Sequence, residues 1–219
     1  MRAGVTRRSS PADRVAAALA RSDPAANAAW LLCDRHPGAA VAFTVLDGNE
    51  RADHTYDELR ARSGRCAETL HDLGVRPGDR VATLMDKGFD LVVVMLGIWR
   101  LGAVYVPLFT AFAPAAIEER LRRSAAVALV TEPGPHADLA RKAAETTPCR
   151  VVVAGPTGGG EGKGPGSIGD DPAPPPVAVG GGGAFVHLFT SGTTGSPKGV
   201  VHPLAFMAGW MSTSSTPWA

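Results

Sequence analysis

Between Trp30 and Val153 the sequence alternates between two hydrophobic periodicities, and this alternation is its strongest constraint on the fold. Short runs rich in β-branched residues predict strands, whereas longer stretches with apolar residues every three or four positions predict helices. Strands are predicted at 40–45, 81–85, 103–107, 126–130, 151–153 and 185–189, and helices at 56–73, 89–101, 115–123 and 138–145. The alternation predicts an α/β fold with a mostly parallel sheet and flanking helices.

Two of the predicted helices carry start signals. Thr55 is expected to cap the first helix, because Glu58 follows three residues later in the pattern of a capping box. Pro114 is expected at the start of the third helix, where its missing N–H costs nothing. One buried stripe of the first helix is predicted to consist of Leu59, Ser63, Cys66, Leu70 and Leu73.

The segment 155–183 differs in composition, since Gly and Pro dominate it and large apolar residues are almost absent. Such a segment buries too little surface to offset its ordering entropy, and it is predicted to be a flexible surface linker. The chain is therefore divided into a frayed or disordered N-terminus (1–26), an α/β subdomain (27–154), the linker (155–183) and the start of a second subdomain (184–219).

The run from Phe189 to Val200 reads Phe-Thr-Ser-Gly-Thr-Thr-Gly-Ser-Pro-Lys-Gly-Val and concentrates hydroxyls, glycines and one lysine. Glycines let successive backbone N–H groups turn towards an anion, and hydroxyls add further donors. The lysine adds a positive charge, held close by Pro197 and the permissive Gly199. These residue types predict a polyphosphate-binding loop formed by Thr190, Ser191, Gly192, Thr193, Thr194, Gly195 and Lys198.

Two other interpretations of this loop are a P-loop of the Walker A type and a simple hairpin turn. A P-loop of the Walker A type requires Gly-Lys-Ser/Thr after its second glycine, whereas here Ser196 and Pro197 precede Lys198 and Gly199 follows it. The P-loop is therefore excluded. Composition alone leaves open a hairpin turn rich in Ser, Thr and Gly with a solvated lysine.

Charge and hydropathy narrow the function classes. The net charge is +1, and the basic residues are spread along the chain, so no nucleic-acid footprint is expected. The longest apolar run, residues 91–98, is far shorter than the roughly 20 residues of a membrane-spanning helix. Neither a nucleic-acid partner nor a membrane span is predicted.

The cysteines and histidines show no metal or disulfide pattern. Cys33, Cys66 and Cys149 are odd in number, far apart and not in a Cys-x-x-Cys pair, which fits a reducing cytoplasm. Cys66 is expected to be a buried thiol and not a nucleophile. The six histidines lack metal-ligand spacing, so no metal-binding residue is predicted.

The string from Ser191 to Val200 closely resembles the signature loop of the adenylate-forming superfamily of AMP-dependent synthetases and ligases. Segments 54–59, 73–81 and 102–108 resemble N-terminal elements of the same superfamily, in the expected order. The segment 107–114 is similar to short- and medium-chain acyl-CoA synthetases of the acetyl-CoA synthetase type. This resemblance implies the N-terminal part of the superfamily's large domain.

The resemblance implies an ATP-dependent acid–CoA ligase. A carboxylic acid attacks the α-phosphate of ATP to give an acyl-adenylate and pyrophosphate, and coenzyme A then displaces AMP. By similarity, the loop residues 190–195 hold the β- and γ-phosphates. Lys198 is the catalytic residue that neutralises the leaving pyrophosphate, and Mg²⁺ shares that charge.

Superfamily members are more than twice as long as this chain, so the resemblance implies an N-terminal fragment that is inactive alone, whether truncated, frameshifted or split from a separate C-terminal half. Two alternatives stay open. One is a non-catalytic module that binds a nucleotide or a partner. The other is a degenerate truncated product, in which Phe206, Met207, Trp210 and Met211 lack their packing partners.

Overall fold

The computed structural model describes residues 27–154, 175–190 and 196–207. The frayed N-terminus predicted at 1–26 and residues 155–174 of the predicted linker lie outside this part. None of the described helices is long and apolar enough to cross a lipid bilayer.

Eight strands and four α-helices follow a short helical segment at Trp30–Asp34 in the described residues. In chain order they are β1 (Val41–Asp47), β2 (Glu50–Thr55), α1 (Tyr56–Asp72), β3 (Arg80–Leu84), α2 (Phe89–Arg100), β4 (Val104–Pro107), α3 (Pro114–Ser124), β5 (Ala126–Thr131), α4 (Pro135–Ala144), β6 (Arg150–Val153), β7 (Ala184–Thr190) and β8 (Lys198–Pro203).

The main sheet has six strands in the order β6-β5-β3-β4-β7-β8. All its neighbouring pairs are parallel except β7 and β8, which form an antiparallel hairpin. Helices α1 and α2 pack together on one face, and α3 and α4 pack together on the other. The predicted α/β fold with a mostly parallel sheet and flanking helices is confirmed.

Three elements differ from the sequence prediction. The charged segment of β2 was not predicted as a strand, because it pairs only with β1 in an exposed hairpin and has no apolar face. The strand β8 was not predicted as an element of its own. Helix α4 begins at Pro135 and not at Asp138, since Pro135 takes the first helical position after the positive-φ residue Gly134.

The start of α1 and most of its buried stripe match the prediction. The Thr55 hydroxyl accepts a hydrogen bond from the Glu58 backbone N–H at 3.2 Å, as a capping residue should. The stripe residues are buried as expected with one exception, because Leu73 is the C-terminal cap and is only half-buried. Cys66 is a buried free thiol against Gly97, where a β-carbon would lie 2.7 Å from its sulfur, so α1 and α2 approach closely.

A buried ion pair joins the helical layer to the N-terminal segment. The Arg100 side chain is 2% exposed, and its two terminal nitrogens lie 2.9 and 2.5 Å from the Asp34 carboxylate oxygens. Its Nε donates to the Ser63 hydroxyl at 2.9 Å. Three segments that are distant in sequence therefore meet at one guanidinium, in a helix whose other buried side chains are almost all apolar.

Residues 175–183, the end of the predicted linker, make defined contacts with the core. The Val177 N–H donates to the Arg100 carbonyl at 2.7 Å. The amide nitrogen of buried Asn27 donates to the Val177 carbonyl at 2.7 Å and to the Trp99 carbonyl at 2.6 Å. The next strands, β7 and β8, then join the same sheet as β3 to β6. The subdomain boundaries drawn from composition stay a prediction.

We expect Arg100→Leu to lower the free energy of unfolding by about 3 kcal/mol, because the largely buried Asp34 carboxylate loses both hydrogen bonds from Arg100 and keeps only Arg60 Nε at 3.6 Å. Urea titration followed by circular dichroism measures this change. The matched control is Arg123→Leu, which removes an exposed ion pair with Glu119 and should cost about 1 kcal/mol or less. Equal losses in the two variants would contradict the importance of the buried pair.

Candidate functional site

The predicted phosphate loop lies at the open end of the hairpin formed by β7 and β8. The two strands pair Leu188 with Val200, Phe189 with Gly199 and Thr190 with Lys198. Thr190 and Lys198 therefore stand opposite each other where the loop leaves and re-enters the sheet.

The loop emerges at the carboxyl edge of the parallel strands. β7 pairs in parallel with β4, with Tyr105 opposite Val186, and β4 pairs in parallel with β3. The end of β7 at Thr190 thus lies along the edge where β3, β4 and β5 also end. In open α/β sheets ligands bind at this edge.

The two described members of the predicted site are available to a ligand. Thr190 and Lys198 are both exposed, and the Thr190 hydroxyl donates to the Lys198 carbonyl at 3.4 Å. Among the described residues no carboxylate forms a salt bridge with Lys198. The other predicted members lie outside the described residues, and their phosphate contacts stay predictions: Ser191, Gly192, Thr193, Thr194 and Gly195.

A histidine supports the base of the loop. The His187 ring stacks on Phe189 with 4.7 Å between ring centroids. Burial lowers the pKa of His187 below its usual value, and the positive charge of Arg80 adds to this shift, so the neutral ring is favoured. The His187 Nδ1 atom is buried and has no hydrogen-bond partner in the described part of the chain.

The His187 ring also explains why the residue after Lys198 is a glycine, Gly199. A β-carbon at Gly199 would lie 2.3 Å from His187 Nε2, so only glycine fits opposite this ring without displacing it. The sequence predicts Gly199 as a residue that permits an unusual backbone, but its role in the structure is to leave room for the ring. His187 was not predicted as part of the site, because its contact with residue 199 crosses the hairpin.

Aromatic side chains follow β4 at the same edge of the sheet. Phe109 is 68% exposed and makes an edge-to-face contact with Phe112 at 5.2 Å between ring centroids. The Arg120 guanidinium carbon lies 4.1 Å from the Phe112 ring centroid. The exposed Phe109 ring therefore lies just beyond the end of β4, the strand next to β7.

The cysteines offer no nucleophile. Cys33, Cys66 and Cys149 are all buried and free. Burial raises the pKa of Cys66 to about 12, so the thiolate is not formed at neutral pH. The expectation of a buried, unreactive thiol at Cys66 is confirmed.

Proteins similar to this chain include two synthetases and an acyl-CoA synthetase of known structure. An acetyl-coenzyme A synthetase of Nostoc linckia is 30% identical over 189 residues, which cover 76% of this chain and 55% of the relative. The AMB antimetabolite synthetase AmbE of Pseudomonas aeruginosa is 36% identical over 157 residues, 72% of this chain and 7% of the relative. The crystal structure of an acyl-CoA synthetase of Brucella canis superposes with a TM-score of 0.72 at 34% identity.

The structural match covers 90% of this chain and 37% of the Brucella canis protein. The chain therefore spans between 7% and 55% of the length of these three proteins. The family model described as AMP-binding enzyme matches residues 31–215, which include both edges of the phosphate loop. The chain belongs to the family of AMP-binding enzymes, as the resemblance of its loop and upstream segments predicted.

Proposed function

We propose that this chain is the N-terminal part of an AMP-forming acid–CoA ligase, and that its loop between Thr190 and Lys198 binds the β- and γ-phosphates of ATP. The observation that carries the proposal is the pairing of these two residues at the open end of the hairpin, on the carboxyl edge of the sheet. The proposed reaction joins a carboxylic acid to coenzyme A through an acyl-adenylate.

The loop chemistry fits a polyphosphate. Lys198 provides a mobile positive charge next to the Thr190 hydroxyl, and charge-assisted hydrogen bonds to phosphate are about twice as strong as neutral ones. As pyrophosphate leaves, negative charge builds up on its oxygens. The Lys198 ammonium group, carried by the first residue of β8, can reach that charge and stabilise it, and this is the catalytic role we assign to Lys198.

The metal ion of the proposed reaction is Mg²⁺. The loop side chains are hydroxyls and an ammonium group, which suit phosphate oxygens better than a divalent cation. Mg²⁺ commonly binds to enzymes through substrate phosphates. When bound it would neutralise phosphate charge, and the Thr190 hydroxyl is the described side chain of the loop that could contact it.

The acid–CoA branch is supported by the names of similar proteins. An acetyl-coenzyme A synthetase and an acyl-CoA synthetase are among them, and a benzoate CoA ligase of Burkholderia xenovorans superposes with a TM-score of 0.70 at 26% identity. Three buried free thiols are compatible with the cytoplasmic location predicted from the sequence. We propose that the 219 residues do not complete the reaction alone.

We expect Lys198→Ala to weaken binding of MgATP to the chain by about 10- to 100-fold, the effect of losing one charge-assisted hydrogen bond. Isothermal titration calorimetry measures the dissociation constant. The control Lys142→Ala removes an exposed lysine of α4 and should leave binding unchanged. Absence of binding in the unmodified chain, or equal binding in both variants, would contradict the proposed role of the loop.

We expect Gly199→Ala to weaken MgATP binding several-fold and to lower stability by about 1 kcal/mol, because its β-carbon displaces the His187 ring. Calorimetry and urea unfolding measure the two effects. In the control Gly182→Ala the new β-carbon meets nothing within 4 Å, so neither quantity should change. The double variant His187→Ala/Gly199→Ala should recover much of the loss, and failure to recover would contradict the steric explanation.

We expect no acid-dependent exchange between ATP and pyrophosphate when the 219-residue chain is assayed with acetate, butyrate or benzoate. Incorporation of labelled pyrophosphate into ATP is the measurement, with a complete acyl-CoA synthetase as the positive control. Robust exchange would show that these residues suffice for adenylation. MgATP binding without exchange is the expected combination.

A further inference from the structure

A cluster of three potential metal ligands lies outside the phosphate loop. Asp86 follows β3, Glu132 follows β5, and His136 lies in the first turn of α4. One ligand atom from each side chain lies within 4.8 Å of those of the other two. An imidazole nitrogen with two carboxylate oxygens is a donor set for a first-row divalent transition metal such as Zn²⁺.

The cluster occupies a specific place in the sheet. β3 and β5 are neighbours, but the chain leaves β3 through α2 towards β4 and leaves β5 through α4 towards β6, in opposite directions. The two helices lie on opposite faces of the sheet. The carboxyl ends of β3 and β5 therefore form a topological switch point, where open α/β sheets form a crevice that binds ligands.

Hydrogen bonds already orient two of the ligands. One oxygen of Glu132 lies 2.6 Å from His136 Nδ1 and accepts the Asp86 backbone N–H at 3.0 Å. The Asp86 carboxylate lies 4.0 Å from the same imidazole nitrogen and is 67% exposed, so it can rotate inwards. Metal–ligand bonds of 2.0–2.2 Å place tetrahedral ligand atoms about 3.4 Å apart, between these two separations.

The charge balance of the cluster favours a cation. In the described part of the chain, neither Asp86 nor Glu132 forms a salt bridge with lysine or arginine; His136 is the partner of both. The positive end of the α4 dipole, about half an elementary charge, is smaller than the charge of two carboxylates. A neutral His136 coordinating through Nδ1 would keep its proton on Nε2.

We propose that Asp86, Glu132 and His136 form a binding site for one divalent transition-metal ion of the Zn²⁺ class. Three protein ligands leave at least one coordination position for water or an anionic ligand, as in open zinc sites. The site is separate from the phosphate loop, because β4 lies between β3 and β7 in the sheet. It does not depend on the proposed ligase activity.

Zinc titration of the tag-free chain without nucleotide tests this proposal. Calorimetry should give one Zn²⁺ per chain, and Zn²⁺ should raise the melting temperature. Co²⁺ should bind in its place and give visible d–d absorption. His136→Gln and the exposed Asp86→Asn should each weaken Zn²⁺ binding at least about 10-fold, the minimum expected when even an outer-shell partner of a metal is lost.

The matched control is His54→Gln. His54 Nδ1 lies 3.0 Å from Glu58 and has the same four-residue spacing as the Glu132–His136 pair, but no third ligand joins it within the described residues. Its replacement should leave Zn²⁺ affinity unchanged. Circular dichroism verifies that each variant is folded. The proposal is overturned by absence of stoichiometric binding at about 100 μM Zn²⁺, by unchanged affinity in folded Asp86→Asn, or by an equal loss in His54→Gln.

Discussion

The parallel pairing of β7 with β4 is the constraint on which the site depends. β7 follows β6 in the chain but lies beyond β4, on the far side of the sheet from β6, and side chains support its pairing there. The Trp99 indole donates to the Phe185 carbonyl at 3.0 Å, and the two rings stack with 4.7 Å between centroids. Asn27 fixes the backbone of the preceding segment. These contacts bring the end of β7, where the predicted phosphate loop begins, to the edge where the other parallel strands end.

Local signals account for what could be predicted from the sequence. The cap at Thr55 depends on residues three positions apart, and the α/β alternation depends on periodicity within single elements. Arg100 could not be placed, because its partner Asp34 is 66 residues away and α2 otherwise looks apolar. The strand β2 was not predicted for a related reason, because an exposed two-stranded hairpin has no apolar stripe that would mark it in the sequence. The alternative of an incomplete core stays open: Met207 is buried and Phe206 stacks on His202, whereas Trp210 and Met211 lie outside the described residues.

The candidate site likewise contains residues that the sequence could indicate and residues that only the folded structure reveals. The residues of the phosphate loop are contiguous, so their types could be identified together from the sequence. His187 supports the loop from across the hairpin, and the contact that reveals its role exists only once β7 and β8 pair. The proposed ligands Asp86, Glu132 and His136 follow β3, follow β5 and begin α4, so the spacing of histidines in the sequence could not indicate that they lie together.

The contact between His187 and Gly199 has a consequence for how this sequence can change over generations. A β-carbon at position 199 would fall 2.3 Å from the imidazole, so a larger residue there requires the His187 ring to turn away or position 187 to become smaller. The two positions form a coupled pair, in which the effect of one substitution depends on the other. Glycine at position 199 therefore lets the His187 ring keep its stacked position on Phe189, and loss of this glycine would change the packing at the open end of the hairpin.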